Sequence, residues 1–214
     1  MLKMLLEVSI LPVQPSYSIN NRQISAEVLY EEPLIVKFQN VLSENECDAL
    51  IENAKDRLRR SKLANKEVSP IRTSSSMFFE ENENPLIAQI EQRVTTLMHL
   101  PLNNAEGLQV LHYELGQQFK PHFDFFHGDN PKSENNRIST LVIYLNDVEE
   151  GGETTFPKLG LSVKPEKGCA IYFEYFYQNQ QLNELTLHSG EPVKHGEKWV
   201  ATQWMRKKAV RDFF

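Results

Sequence analysis

Phe119-Lys120-Pro121-His122-Phe123-Asp124-Phe125-Phe126 is the stretch on which the reading of this chain turns. Apolar and polar residues alternate along it, the pattern of a strand with one face turned to a core. Successive side chains of a strand point to opposite faces, so a strand over 119–124 puts His122 and Asp124 on one face and Phe123 on the other. An imidazole and a carboxylate two residues apart can grip one metal ion. They supply two-thirds of a facial triad of two histidines and one carboxylate. The His-x-Asp spacing is common by chance, so the reading needs a third ligand from elsewhere.

His188, in Leu185-Thr186-Leu187-His188-Ser189-Gly190, is the candidate. It closes an apolar run over 184–188 and precedes a turn, as an inward residue at a strand end would. Ten residues later stands Lys198, in Gly196-Glu197-Lys198-Trp199-Val200-Ala201-Thr202-Gln203-Trp204. Strand parity groups Lys198 with Val200, Thr202 and Trp204. A lysine aligned with apolar neighbours is costly to bury unless an anion meets it. The carboxylate of a bound acid would be that anion; an exposed lysine at a sheet edge is the competing reading. His99, His112, His127 and His195 read as structural or exposed.

Working outward, residues from 107 onward carry strand patterns over 108–115, 119–124, 137–146, 153–157, 161–164, 168–175, 184–188 and 197–205. Short strands separated by turn signals indicate a sandwich or barrel. Two helices precede them. Ser43-Glu44-Asn45-Glu46 is a capping box, followed by Ala49, Leu50, Ala54 and Leu58 at helical spacing. Asn84-Pro85 opens the second, with Leu86, Ile90, Val94 and Leu97 as its apolar stripe. The expected fold is therefore mainly β with flanking helices: a jelly roll, or double-stranded β-helix, with two N-terminal helices packed against it. Its divisions would be an arm over 1–30, a helical and strand support region over 31–106, and the catalytic core over 107–214. The Ser-rich stretch 61–76 and the turn 127–136 read as long loops and candidate lids.

Composition narrows the function. A formal net charge of −6 leaves no footprint for nucleic-acid binding. The apolar N-terminus is broken by Lys3, Glu7 and Ser9 and stopped by Pro12, too short to span a bilayer. No export signal is evident, so a cytoplasmic location is expected. Cys47 and Cys169 lie outside any CxxC or zinc pattern and read as reduced core thiols.

Together His122-x-Asp124, His188 and Lys198 resemble the motif of the prolyl 4-hydroxylases, a branch of the iron(II)- and 2-oxoglutarate-dependent oxygenases. Lysine at 198, where many other superfamily members carry arginine, favours that branch. Asn136-Arg137-Ile138-Ser139-Thr140-Leu141, Tyr144-Leu145-Asn146, Gly151-Gly152-Glu153-Thr154-Thr155-Phe156-Pro157 and Pro165-Glu166-Lys167-Gly168 extend the likeness, which covers roughly residues 31–206 and is closest to small bacterial members.

The resemblance implies a dioxygenase that hydroxylates peptidyl proline at C4 and converts 2-oxoglutarate to succinate and carbon dioxide. It implies Fe(II) held by His122, Asp124 and His188, and the far carboxylate of 2-oxoglutarate held by Lys198 with help from Tyr113 and Thr154. It also implies O2 and ascorbate as further requirements, and a proline-containing peptide or protein as partner substrate. Arg137 and Trp204 would line the peptide groove; a surface charge and a core indole are the other readings of that pair, as a core aromatic is of Tyr113. A homodimer is expected by analogy with small relatives. Two alternatives remain open at this stage: the same chemistry on a lysyl or small-molecule substrate, and a non-catalytic metal-binding jelly-roll protein.

Overall fold

A computed structural model describes residues 7–63, 67–128 and 130–211. Along the chain the first strands are β1 (Ser16–Ile19), β2 (Arg22–Glu31), β3 (Leu34–Gln39), β4 (Arg59–Arg60), β5 (Ser75–Phe78) and β6 (Gln109–Tyr113). Then come β7 (Phe119–His122), β8 (Arg137–Tyr144), β9 (Glu150–Gly151), β10 (Thr154–Phe156), β11 (Leu161–Val163) and β12 (Ala170–Glu174). The last are β13 (His188–Gly190), β14 (Val193–His195) and β15 (Lys198–Arg206). The helices are α1 (Glu44–Ala54), α2 (Pro85–Leu97) and α3 (Gln180–Leu185).

Among the described residues, nine strands form one sheet in the order β1-β2-β3-β12-β8-β15-β6-β5-β4. A smaller sheet runs β11-β10-β13-β7, and β14 pairs with β9. The central strands are apolar on both faces because both faces are covered. Val36, Phe38, Leu141, Ile143 and Ala201 belong to one apolar cluster with Leu50 of α1 and Ile90 and Val94 of α2. Their neighbours of opposite parity, Ile35, Tyr144, Ile171, Phe173 and Val200, form a second cluster with Phe156 and Val163 of the small sheet. The large sheet is thus the middle layer, with helices on one side and the small sheet on the other.

The helix caps explain where α1 begins. Glu46 N–H donates to Ser43 Oγ at 3.2 Å and Ser43 N–H donates to Glu46 Oε2 at 2.8 Å, which closes the capping box. Arg93 of α2 then pairs with Glu46 at 2.7 Å, its side chain only 2% exposed. Removing one partner of such an enclosed pair typically costs about 3–5 kcal/mol. Both cysteines are buried and unpaired.

Several segments differ from the sequence expectation. Residues 16–31 are not an arm: β1 and β2 form an antiparallel hairpin on the edge of the large sheet, with Ile24 fully buried. The alternation there is weak because only one face of an edge hairpin meets the core. Strands from all three expected divisions join one sheet, since β2 pairs with β3, β3 with β12 and β5 with β6. Over 61–76, Ser61 N–H donates to Ser74 O at 2.9 Å and Lys120 N–H to Ile71 O at 2.8 Å, so much of this stretch is tied to strands. Its serines serve that packing, with Ser61 Oγ 2.9 Å from the hydroxyls of both Ser74 and Ser76. Residues 64–66 of this stretch and residue 129 of the 127–136 turn lie outside the described residues. Within that turn, Pro131–Asn135 is a 3-10 helix capped by Asn130, whose side chain accepts from Lys132 N–H at 3.0 Å.

Of the strand expected over 184–188, residues 184–185 end the helix α3, 186–187 turn away from it, and the strand begins only at His188. Gln180–Leu185 contains no β-branched residue, and the Asn179 side chain caps it by accepting from Gln181 N–H at 3.0 Å. The strand expected over 119–124 stops at His122. It is an edge strand carrying Pro121, which has no N–H to donate. Beyond it, Phe126 N–H turns to Asn136 Oδ1 at 2.8 Å.

Candidate active site

The two histidines meet because of sheet register. β7 and β13 are antiparallel neighbours in which His122 and His188 are Cα partners. Residues directly opposite on such a pair project to the same face, and the two rings lie 4.3 Å apart between centroids. Each ring is fixed by the carbonyl two residues earlier. His122 Nδ1 lies 2.9 Å from Lys120 O, and His188 Nδ1 lies 3.0 Å from Thr186 O. A carbonyl only accepts, so each Nδ1 carries the proton and each Nε2 presents a lone pair to the centre.

Asp124 arrives by another route. It stands in the bend after β7, so strand parity does not place it. Thr140, in the middle of β8, donates its hydroxyl to Asp124 Oδ2 at 2.7 Å, and the Tyr175 hydroxyl lies 2.7 Å from Thr140 Oγ1. With the Thr140 proton committed to the carboxylate, Tyr175 is the donor of the second bond. Arg137 also donates to the Asp124 carbonyl at 3.4 Å. Asp124 Oδ1 then lies 3.7 Å from His122 Nε2, and Oδ2 lies 3.7 Å from His188 Nε2.

One ligand atom from each of His122, Asp124 and His188 falls within 4.8 Å of the others, so the three can share one ion. Burial, then His188, pull His122 down to about 3, so this imidazole is neutral. Burial alone would raise Asp124, but His188, His122 and Arg137 outweigh it and hold the carboxyl at about 2. A neutral imidazole and an ionised carboxylate are the states that bind metal. The donor set of two nitrogens and one oxygen, with the ring N–H groups held from behind, fits non-haem Fe(II) better than a closed four-ligand zinc site.

The rest of the cavity suits an acid. It is bordered by the triad, Tyr113, Thr154 and Lys198. Lys198, Val200, Thr202 and Trp204 all face it, as their shared parity on β15 requires. Lys198 is 4% exposed, and its Cα partner across the ladder is Tyr113. Its Nζ lies 5.5 Å from the Tyr113 ring centre and 5.7 Å from that of Tyr144. Among the described residues no carboxylate lies within salt-bridge distance of it. Burial pulls the amine down to about 8, with Glu153 and Glu191 only partly opposing. Gly152 makes room for the lysine stem: a Cβ there would sit 3.2 Å from Lys198 Cδ, at a φ of +70°. Thr154 Oγ1 accepts from Tyr144 at 2.8 Å, which leaves its own proton free to donate.

Arg137 and Trp204 are also together. The Arg137 guanidinium lies 3.8 Å from the Trp204 ring centre and is clamped by Glu106 through two bonds of 2.7 Å. Sequence reasoning did not find Thr140, Tyr175, Gly152 or Arg72. Arg72 lines the cavity, 4.9 Å from the centre of the Phe119 ring that stacks on His122. Thr140 could have been found from strand parity, because its face of β8 includes the cavity-lining Val142.

Comparison with known proteins agrees with this geometry. Residues 108–206 match the model of the 2OG-Fe(II) oxygenase superfamily. Probable prolyl 4-hydroxylase 3 of Arabidopsis thaliana is 39% identical over 204 residues, spanning 84% of this chain and 71% of that protein. Prolyl 4-hydroxylase 2 of the same organism is 37% identical over 218 residues, spanning 89% and 72%. The viral collagen prolyl hydroxylase of Paramecium Bursaria Chlorella virus-1, solved as a 2OG complex, superposes with a TM-score of 0.66 at 34% identity, covering 83% of this chain and 96% of that one. With identity at this level along most of its length, this chain belongs to the prolyl 4-hydroxylase family of the 2OG-Fe(II) oxygenases.

Proposed function

We propose that this protein hydroxylates peptidyl proline at C4, consuming O2 and converting 2-oxoglutarate to succinate and carbon dioxide. The observation that carries the reading is a buried, carboxylate-free lysine sharing one cavity with a two-histidine, one-aspartate cluster. A structural metal would need no cation beside it. A metal cofactor that must be met by a dicarboxylate does.

His122, Asp124 and His188 would hold Fe(II), which with 2-oxoglutarate supplies the oxidising power for an unactivated C–H bond. The protein's own contribution is placement. Lys198 pairs with the far carboxylate of 2-oxoglutarate, and the free hydroxyl proton of Thr154 and the hydroxyl of Tyr113 stand beside it. Leu111, Val142 and Val200 border the same space and keep water from the acid, which strengthens the ion pair. Arg137, stacked on the buried Trp204, would meet the substrate backbone.

Ascorbate would keep the iron reduced between turnovers. A homodimer, by likeness to small relatives, and a cytoplasmic site of action, in keeping with the two unpaired cysteines, complete the proposal; a monomer in light scattering would remove the first. Mass spectrometry of proline-containing peptides after incubation with Fe(II), ascorbate and 2-oxoglutarate tests the central reading. One added oxygen on proline with matching succinate is expected. Succinate without peptide oxidation would move the target to lysine or a small molecule, and neither product would leave a metal-binding protein.

A further inference from the structure

Beyond β15 the chain comes back to α2. Arg211 in this return is only 3% exposed. Its guanidinium forks onto Glu91 of α2 at 2.6 and 3.0 Å, and the Glu91 side chain is fully enclosed. Two further bonds point the other way: Nε donates to Ala105 O and Nη2 to Glu106 O, both at 2.8 Å. The Val210 and Arg211 N–H groups meet Asn103 O at 2.8 and 3.1 Å. One side chain thus ties α2 to the connection between α2 and β6.

Glu106 is where this fastening reaches the site. Its carboxylate clamps Arg137 through two bonds of 2.7 Å and stands 3.4 Å from Arg206 Nε. Arg137 stacks on Trp204 and donates to the Asp124 carbonyl. Three bonds hold the Glu106 backbone. Its N–H donates to Trp204 O at 3.0 Å, and its carbonyl accepts from Gln203 Nε2 at 2.6 Å and from Arg211. The first two come from β15. Arg211 supplies the third from outside that strand, anchored on a helix. Apolar residues of similar volume would fill the space of an enclosed ion pair about as stably. A planar fork shared between a carboxylate and two carbonyls fixes direction as well, which apolar contact does not.

We propose that Arg211 is a positioning residue for the hydroxylation of peptidyl proline, holding Glu106, and through it Arg137, in place against the substrate backbone. The inference rests on the prolyl hydroxylase reading and deepens it. It puts part of the substrate-binding geometry in the segment after the last strand.

Arg211→Met alone would leave Glu91 enclosed without its cation, so the pair is best replaced whole, by Glu91→Leu with Arg211→Met. Arg211→Lys is the second variant. It keeps the charge pair, but one ammonium group cannot serve Glu91 and both carbonyls in a plane. The probe is a proline-containing peptide that the unaltered enzyme hydroxylates. Its KM should rise roughly threefold to tenfold in the double variant, and less in Arg211→Lys. KM for 2-oxoglutarate and Co(II) affinity, which report on Lys198 and the triad, should not move. The Arg137 Nε–H signal in nitrogen–proton correlation spectra, assigned by its loss in Arg137→Lys, is the second readout. It should be sharp in the unaltered protein, where Glu106 clamps it, and broadened by exchange in the variants.

An unchanged peptide KM or an unchanged Arg137 signal in the double variant overturns the proposal. Should that variant fail to fold, the same two criteria apply to Arg211→Lys. Peptide, 2-oxoglutarate and metal binding all weakened together would make Arg211 a general support of the fold and overturn it too. The spectroscopic readout needs no turnover, which separates the two readings. A signal lost in the variants, with no proline peptide hydroxylated by the unaltered enzyme, keeps the fastening of Arg137 and sinks the chemistry. Turnover with neither readout moved does the reverse.

Discussion

The two ends of the catalytic cavity are built on opposite plans. At the histidine end each ring N–H already has a backbone carbonyl and the aspartate already has a threonine hydroxyl. At the lysine end a single ammonium group sits among Tyr113, Tyr144 and Gly152 without a carboxylate partner among the described residues. The first end is finished before any ligand arrives. The second is completed only by the ligand's charge. Damage at the histidine end should therefore remove metal, whereas damage at the lysine end should leave metal in place and weaken the acid.

The largest effect tests the first half. His122→Ala should abolish both turnover and the Co(II) absorbance of a metal titration, and retention of a tight metal site would refute the triad. Lys198→Ala comes next. Losing one side of a desolvated charge pair should raise KM for 2-oxoglutarate on the order of a hundredfold, with Co(II) affinity unchanged. An unaltered 2-oxoglutarate requirement would remove Lys198 from the acid site.

Thr140→Val sharpens the comparison from a distance. Asp124 has no strand to hold it, so losing its donor should lower metal affinity roughly tenfold to a hundredfold. Tyr175→Phe should do the same more weakly. If Co(II) affinity is untouched by both, the bend alone positions the carboxylate.

The smallest effect is in pH. Lys198 sits at about 8 rather than its ordinary 10.5 because burial disfavours the cation. KM for 2-oxoglutarate should therefore climb as pH rises past about 8, by at most about tenfold per unit. Stability moves the opposite way. From about 8 to 10.5 the unfolded chain holds a proton on this lysine that the folded chain does not, so the ligand-free protein should gain stability with rising pH across that window. Lys198→Met should flatten both trends.

How much of this was legible beforehand follows from what fixes each residue. Lys198 sits within a long strand whose two faces enter two different cores, so its parity could be read directly. The capping box at Ser43 and the Asn84-Pro85 start were equally local. Asp124 joins the cluster for a reason that parity does not give: a hydroxyl on β8 positions it, and a contact between residues 16 positions apart leaves no periodic trace. His188 reaches the cluster although the strand expected over 184–188 is absent before it, because the residue begins a strand instead of ending one. The edge hairpin at 16–31 escaped because one-sided burial at a sheet margin gives little alternation to see.

One consequence follows from the partnering of His122 with His188 across β7 and β13. β7 is the outermost strand of the small sheet, held beyond it, among the described residues, only by the bridge of Phe119 to Arg72 and the bond of Lys120 to Ile71. An ion gripped by both imidazoles would act as a clasp across that margin, so melting temperature and amide protection of β7 should rise with metal loading. A slip of a single residue in this pairing would turn one imidazole to the opposite face. Metal content can thus serve as an assay for correct assembly of the barrel.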